Sequence, residues 1–120
     1  MVDVQARDHV KTSLKPTNHP YLTGPWTPTC TESTAIDFGV IEGIILYDIG
    51  GICARNAEDQ VHHPLGNCHP FDSDGMVHVI TFRNGKAHYR NRFVRTRGFE
   101  AERDAGQSFW GGLMYPPGTS

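Results

Sequence analysis

Within the stretch HHPLGNCH, His62, His63, Cys68 and His69 place three imidazoles and a thiol in eight consecutive residues. That density of nitrogen and sulfur donors could suit zinc or iron. The spacing argues against a shared ion. Neighbouring side chains such as those of His62 and His63 point apart on an extended chain, Pro64 and Pro70 stiffen the loop, and the pattern matches no zinc module. Solvated loop histidines are the favoured reading. Asp72, Asp74 and Gly75 share the opening of a calcium loop, but such a loop needs glycine at its sixth position and glutamate at its twelfth, where this chain has Val77 and Arg83. The two aspartates are instead expected to bond nearby backbone amides in an Asx-type turn leading into a strand at Met76. A nucleophile elbow of the form G-x-S-x-G is missing, as are the glycine motifs that cradle phosphates. Cys68 beside His69 is only an adjacency. No catalytic, metal-ligating or cofactor-binding residue is therefore assigned.

The elements that would have to position these groups read as short strands. Residues 1–35 carry Pro16, Pro20, Pro25 and Pro28, each removing a backbone donor and restricting the residue before it, so an extended N-terminal arm without regular structure is expected. Val40, Ile41, Ile44 and Ile45 suggest a β-branched strand over Phe38 to Leu46, broken by Gly50-Gly51 before a second strand at Ile52 to Arg55. Residues 57–70 read as a loop. Asn84-Gly85 then joins two strand-like runs, Met76 to Phe82 and Lys86 to Thr96, in a hairpin. On its second strand Ala87, Tyr89, Asn91 and Phe93 share one face, and Lys86, His88, Arg90 and Arg92 the other. A short helical turn is expected at Phe99 to Ala105, stopped by Gly106. The organisation is thus an arm at 1–35 followed by an all-β region at 36–120, which by pattern alone fits a sandwich, a barrel or propeller blades. A propeller blade takes about 40–45 residues, so a propeller could only be an incomplete one, with an open sheet edge through which the chain could associate with itself or a partner.

Composition bounds the rest. The chain has 120 residues, 38% hydrophobic and 20% charged, with a formal charge of −2. A domain of this size buries only about two-thirds of its unfolded surface. Arg90, Arg92, Arg95 and Arg97 cluster without an interleaved aromatic platform, so no nucleic-acid partner is expected. Cys30, Cys53 and Cys68 are an odd number without C-x-x-C spacing and read as structural thiols. The opening MVDVQARDHVKTS lacks an apolar leader, and a cytoplasmic location is expected. The apolar run from Val40 to Tyr47 is interrupted by Glu42 and falls far short of the roughly 20 residues of a membrane span, so no transmembrane segment is expected.

The stretch His69 to Thr96, HPFDSDGMVHVITFRNGKAHYRNRFVRT, resembles the early signature of the carotenoid oxygenase family, which includes carotenoid, apocarotenoid and stilbene cleavage enzymes and the retinal pigment epithelium isomerase. The match rests on His69, Phe71, Asp72, Gly75, Met76, His78, Gly85, Tyr89, Arg92, Phe93, Arg95 and Thr96. Upstream, NHPYLTGPWTPTCTE and VIEGIILYDIGGICARN are also similar, so that the likeness covers about residues 18–113. The flavour of the arm and of GFEAERDAGQSFWGGL is nearest to the bacterial stilbene-cleaving branch.

The resemblance implies part of a seven-bladed β-propeller. In the complete family member Fe(II), held by four histidines with second-shell glutamates, cleaves a conjugated carbon–carbon double bond of an apolar substrate with O2 into two carbonyls. None of the seven histidines here maps onto an iron ligand, so this chain alone is expected to bind no iron and to be inactive. It reads as the N-terminal fragment or a truncated homologue of such a dioxygenase, with a catalytically inactive β-rich interaction module or a nonfunctional remnant as the alternatives. Several positions depart from the family pattern. Ser73 stands where glycine is usual, and at a position needing positive φ it would cost on the order of 1–2 kcal/mol. Arg55-Asn56-Ala57-Glu58-Asp59-Gln60 lacks the glycine and both prolines of the usual turn, and Leu46 replaces a proline before Asp48. Replacing Asp72 or Asp74 is expected to lower soluble yield rather than turnover.

Overall fold

The computed structural model describes residues 3–66 and 69–113. Strands β1 (Asp3–His9), β2 (Thr31–Ile36), β3 (Gly51–Asp59), β4 (Asp74–Arg83) and β5 (Lys86–Phe93) precede one helix, α1 (Arg97–Ala105). The strands form one sheet in the order β1-β2-β5-β4-β3, as the all-β reading requires. The chain folds as two compact units. One comprises residues 3–9, Thr31–Ala57 and Met76–Phe93, the other Val10–Cys30, Glu58–Gly75 and 94–113.

The first unit is organised by the β4–β5 hairpin. Antiparallel pairing runs without interruption from Met76 opposite Phe93 to Arg83 opposite Lys86. Asn84 and Gly85 have φ of 53° and 72°, the two left-handed residues that a type I′ turn needs for its twist to match that of the strands. The predicted alternation holds: Ala87, Asn91 and Phe93 are buried while Lys86 and Arg90 are exposed. Met76 is completely buried and, with Ala35, Ala87 and Phe93, forms the apolar core of this unit. β1 pairs with β2 from Asp3 opposite Ile36 to His9 opposite Thr31, with a shift between Ala6 and Asp8.

The β2–β5 junction is held differently. Its ladder comprises two pairs, Thr34 with Arg90 and Ala35 with Tyr89. Side chains extend it. Buried Asn91 accepts the Ser33 amide through Oδ1 (2.6 Å) and donates from Nδ2 to the Thr31 carbonyl (3.1 Å). Glu32, 2% exposed, accepts the Phe93 amide at 2.8 Å. Arg92 donates to the carbonyls of Ser33 and Asn91 and to Thr34 Oγ1, all within 2.8 Å. A buried polar group is tolerated when it is bonded in this way.

Three expectations are corrected. The stretch 1–35 is not irregular throughout, since β1 and most of β2 lie in it: inter-strand bonds give its amides partners that proline-rich composition conceals. The expected strand over Phe38 to Leu46 does not form. Phe38 still donates to the Ala87 carbonyl at 3.0 Å, but Asp37 (φ 53°) and Gly43 (φ 81°) turn the backbone out of extended geometry, and Ile41 and Ile44 are exposed. Leu46 closes a turn without the proline, accepting the Ile49 amide at 3.2 Å. The expected loop at 57–70 begins three residues late, because β3, with neither glycine nor proline to stop it, continues through Asp59.

In the second unit the Val10 amide donates to the Cys30 carbonyl (2.9 Å) and the Ser13 amide to that of Val61 (3.3 Å). Val10, Leu22, Val61 and Phe99 are its buried apolar residues. Short 3-10 turns at Pro20–Leu22 and Gly24–Trp26 carry Tyr21 and Trp26, whose rings meet edge to face at 5.4 Å. Helix α1 starts two residues before the predicted turn because the Thr96 side chain caps it, accepting the Phe99 amide at 3.0 Å. It stops at Gly106 (φ 72°), whose amide donates to the Glu102 carbonyl at 2.7 Å.

Asn91→Ala should destabilise the fold by roughly 1–3 kcal/mol, since it removes the side-chain partner of the Ser33 amide and of the Thr31 carbonyl in a partly buried setting. Urea denaturation followed by circular dichroism measures this, and Asn91→Asp, which keeps the acceptor but loses the donor, should fall between.

Candidate functional site

Of the groups singled out by type in the sequence, Asp72 and Asp74 meet at one cleft in the second unit, of about 240 Å3, lined also by Gln60, Phe99, Glu102 and Trp110. Each wall has a local cause. His69 precedes the 3-10 turn Pro70–Asp72 and forms a capping box with it: its Nδ1 accepts the Phe71 amide (3.1 Å), and its own amide donates to Asp72 Oδ2 (3.1 Å). Asp72 Oδ1 accepts the Leu113 amide at 3.0 Å, which draws the 111–113 segment in so closely that a Cβ on Gly112 would overlap the Asp72 carboxylate. The expected use of Asp72 to bond backbone amides is met. Ser73 has φ −73° and ψ 161°, ordinary extended backbone, so the serine carries no positive-φ cost.

Asp74 lies deeper. Burial pushes its carboxyl up to about 6, repulsion from Glu102 adds to this, and bonds from the Val61 amide and its own amide oppose it. Glu102 is fixed by the Phe109 amide, which donates to Oε1 at 3.1 Å. Gln60, 8% exposed, donates from Nε2 to the His62 carbonyl at 2.7 Å, while its Oε1 has no hydrogen-bond partner among the described residues. Asp59 beside it accepts the Thr29 amide at 2.7 Å.

The histidines do not converge. His62 is 2% exposed rather than solvated as expected, its Nδ1 lies 3.1 Å from Ser13 Oγ, and burial lowers its pKa against an opposing pull from Glu102. His63 Nδ1 accepts the Lys15 amide at 3.4 Å. Within the first unit His78 Nδ1 meets the Tyr89 hydroxyl at 2.7 Å and His88 Nδ1 accepts the Asp37 amide at 2.8 Å. Cys68 lies outside the described residues. Among the described residues no group of three or more His, Cys, Asp or Glu side chains could hold a metal ion, so the donors here do not fit the iron centre that the resemblance implies. Nor is any helix of the described residues long and apolar enough to cross a membrane.

Gln60 and Glu102 were not legible as site residues. For Glu102 one signal exists, since it follows Phe99 by three residues and so shares its face on a helix. Gln60 has none in local sequence.

The profile of the family described as retinal pigment epithelial membrane protein matches residues 26–119. A probable carotenoid cleavage dioxygenase 4 of Arabidopsis thaliana is 30% identical over 105 residues, 82% of this chain and 18% of that protein. A carotenoid cleavage oxygenase of Mycobacterium tuberculosis is 42% identical over 80 residues, 65% of this chain and 16% of its own. The crystal structure of Pseudomonas brassicacearum lignostilbene dioxygenase superposes with a TM-score of 0.75 at 32% identity, over 82% of this chain and 21% of that one. The sheet and its likeness to these oxygenases define a portion of a β-propeller. The chain belongs to the retinal pigment epithelial membrane protein family, that of the carotenoid cleavage dioxygenases. It spans 16–21% of the length of the relatives named.

The two aspartates should respond differently to substitution. Asp72→Ala frees the His69 and Leu113 amides and should lower soluble yield and melting temperature. For Asp74 the folded-state pKa is raised above the ordinary 3.8 to about 6, so its favourable contribution is full below pH 3.8 and is lost as pH rises through 6. Asp74→Asn should therefore raise stability at pH 7.5 by roughly 1–2 kcal/mol, less than the full linkage value because the cleft is open to water. It should also flatten the stability–pH curve between pH 4 and 6, measured by urea titration at each pH.

Proposed function

We propose that this chain supplies the N-terminal scaffold of a non-haem Fe(II) dioxygenase that splits a conjugated carbon–carbon double bond of an apolar carotenoid, apocarotenoid or stilbene-type substrate with O2, giving two carbonyl products. The observation that carries the proposal is the family match over residues 26–119, whose signature stretch His69 to Thr96 here forms a capped turn, a registered hairpin and the cap of α1. The histidines that would bind iron belong to parts of such a protein outside this chain, and the 120 residues by themselves are inactive. The role of the present residues is mechanical: they hold sheet geometry and turn conformations from which further blades extend. A cytoplasmic location is part of the same proposal.

One observation favours a second reading, an interaction module. β3 is an edge strand of the sheet, and Ile41, Ile44, Tyr47 and Ile52, before and within it, are each at least 70% exposed. Apolar groups beside unpaired strand amides recruit another chain.

Extending the coding sequence past Ser120 separates the two. The dioxygenase reading expects an open frame whose full product retains close to one iron per chain, by metal analysis, and consumes O2 with a stilbene or apocarotenoid. A stop directly after Ser120, with a soluble, metal-free oligomer by light scattering, would replace it with the interaction module.

A further inference from the structure

Within the second unit, residues 12–15, which follow β1, are strapped to residues 61–63, which follow β3, by bonds spanning 48 to 50 positions of sequence. Thr12 Oγ1 and the Ser13 amide both donate to the Val61 carbonyl, at 2.5 and 3.3 Å. Ser13 Oγ accepts the His63 amide at 3.1 Å and lies 3.1 Å from His62 Nδ1. The Lys15 amide donates to His63 Nδ1 at 3.4 Å. Two adjacent imidazoles thus meet the strap through Nδ1, and His63 does so as an acceptor.

A neutral imidazole keeps one bare nitrogen, whereas both nitrogens of an imidazolium are donors. A proton on His63 Nδ1 sets two donors against each other, and the Lys15 bond is lost. At His62 either direction of donation is possible, but the residue is 2% exposed, so a charged ring there has given up its water. Burial lowers the His62 pKa below the ordinary 6.5. Its contribution to stability is therefore full above pH 6.5 and is lost as pH falls through the lowered folded-state value. The charged and titrating groups around it come from every neighbouring segment. Glu102 on α1 opposes the shift, Asp74 is bonded by the Val61 amide, Asp59 is committed to the Thr29 amide, Cys30 bonds Thr12, and Lys15 belongs to the strap itself. We propose that the strap is an acid-sensitive latch: neutral His62 and His63 hold residues 12–15 down, and protonation of the pair lets that segment detach while the β4–β5 hairpin stays folded. The bond from the Val10 amide to the Cys30 carbonyl has no titrating partner and limits the opening to the strap.

Asp74 takes up its proton at about 6 and moves global stability the opposite way, so local amide exchange, and not melting temperature, reads the latch. The test is hydrogen exchange of the 120-residue chain followed by NMR at about pH 7.5 and about pH 5, either side of ordinary imidazole titration, with intrinsic exchange rates divided out. Protection of the Ser13, Lys15 and His63 amides should fall about tenfold or more at the lower pH, while that of the amides between Met76 and Phe93 changes by less than about twofold. In the double variant His62→Asn/His63→Asn, whose side-chain oxygens approximate Nδ1 as acceptors but do not titrate, the strap should change by less than about twofold as well. Equal protection of the strap at the two pH values, a parallel loss across the hairpin, or a pH response that persists in the folded double variant overturns the proposal. If the double variant does not fold, the comparison of strap with hairpin in the unmodified chain decides.

Discussion

β2 and β5 share a ladder of two residue pairs, and backbone bonds that few do not hold strands together against water. The junction survives because β5 carries Asn91 and Arg92 and β2 carries Glu32, side chains that continue the hydrogen-bonding where the ladder ends. Everything else in the first unit is referred to this clasp. It keeps β1 and β2 attached to the hairpin, and it sits against Met76, whose sulfur receives an N–H from Asn91 at 3.4 Å. A network of this kind is stringent because a partly satisfied version is worse than an apolar one.

The second unit solves a different problem. Its irregular segments are tied by short-range caps, namely His19 on Pro20–Leu22, His69 on Pro70–Asp72 and Thr96 on α1. Two of these caps are imidazoles accepting an amide two residues on, a use of histidine that needs neither a metal nor a charge. Capping leaves little for the unit to bury, and its core shows the result: beside Val61 and Phe99 stand His62, Asp59 and Gln60. The polar chamber follows from that composition.

What the sequence discloses follows how local the physics is. The hairpin is legible because Asn84-Gly85 and a period of two are readable within twenty residues. The stop of α1 at Gly106 and the amide-binding role of Asp72 are legible for the same reason. The strand expected at Phe38 to Leu46 fails because β-branched content expresses a preference that positive φ at Asp37 and Gly43 overrides. β1 is only weakly encoded: Val4 and Ala6 alternate with Asp3, Gln5 and Arg7, a pattern too short to outweigh the prolines downstream. The cleft was half visible. Its aspartates stand in a recognisable turn and Glu102 shares a helix face with Phe99, whereas Gln60 comes to it through contacts that no local spacing encodes. Family resemblance supplied the propeller and the chemistry, which periodicity alone left open.

The clasp also sets a schedule. Its bonds join residues 58 to 61 positions apart in sequence, so β2 has no partner on that side until the last residues of β5 exist. At synthesis rates of about 5–20 residues per second, β2 waits roughly 3–12 s, far longer than the microseconds in which the hairpin can close once made. β2 is therefore made several seconds before the strand that completes its hydrogen bonding on that side, and the junction is a contact of high sequence separation, the kind that slows folding.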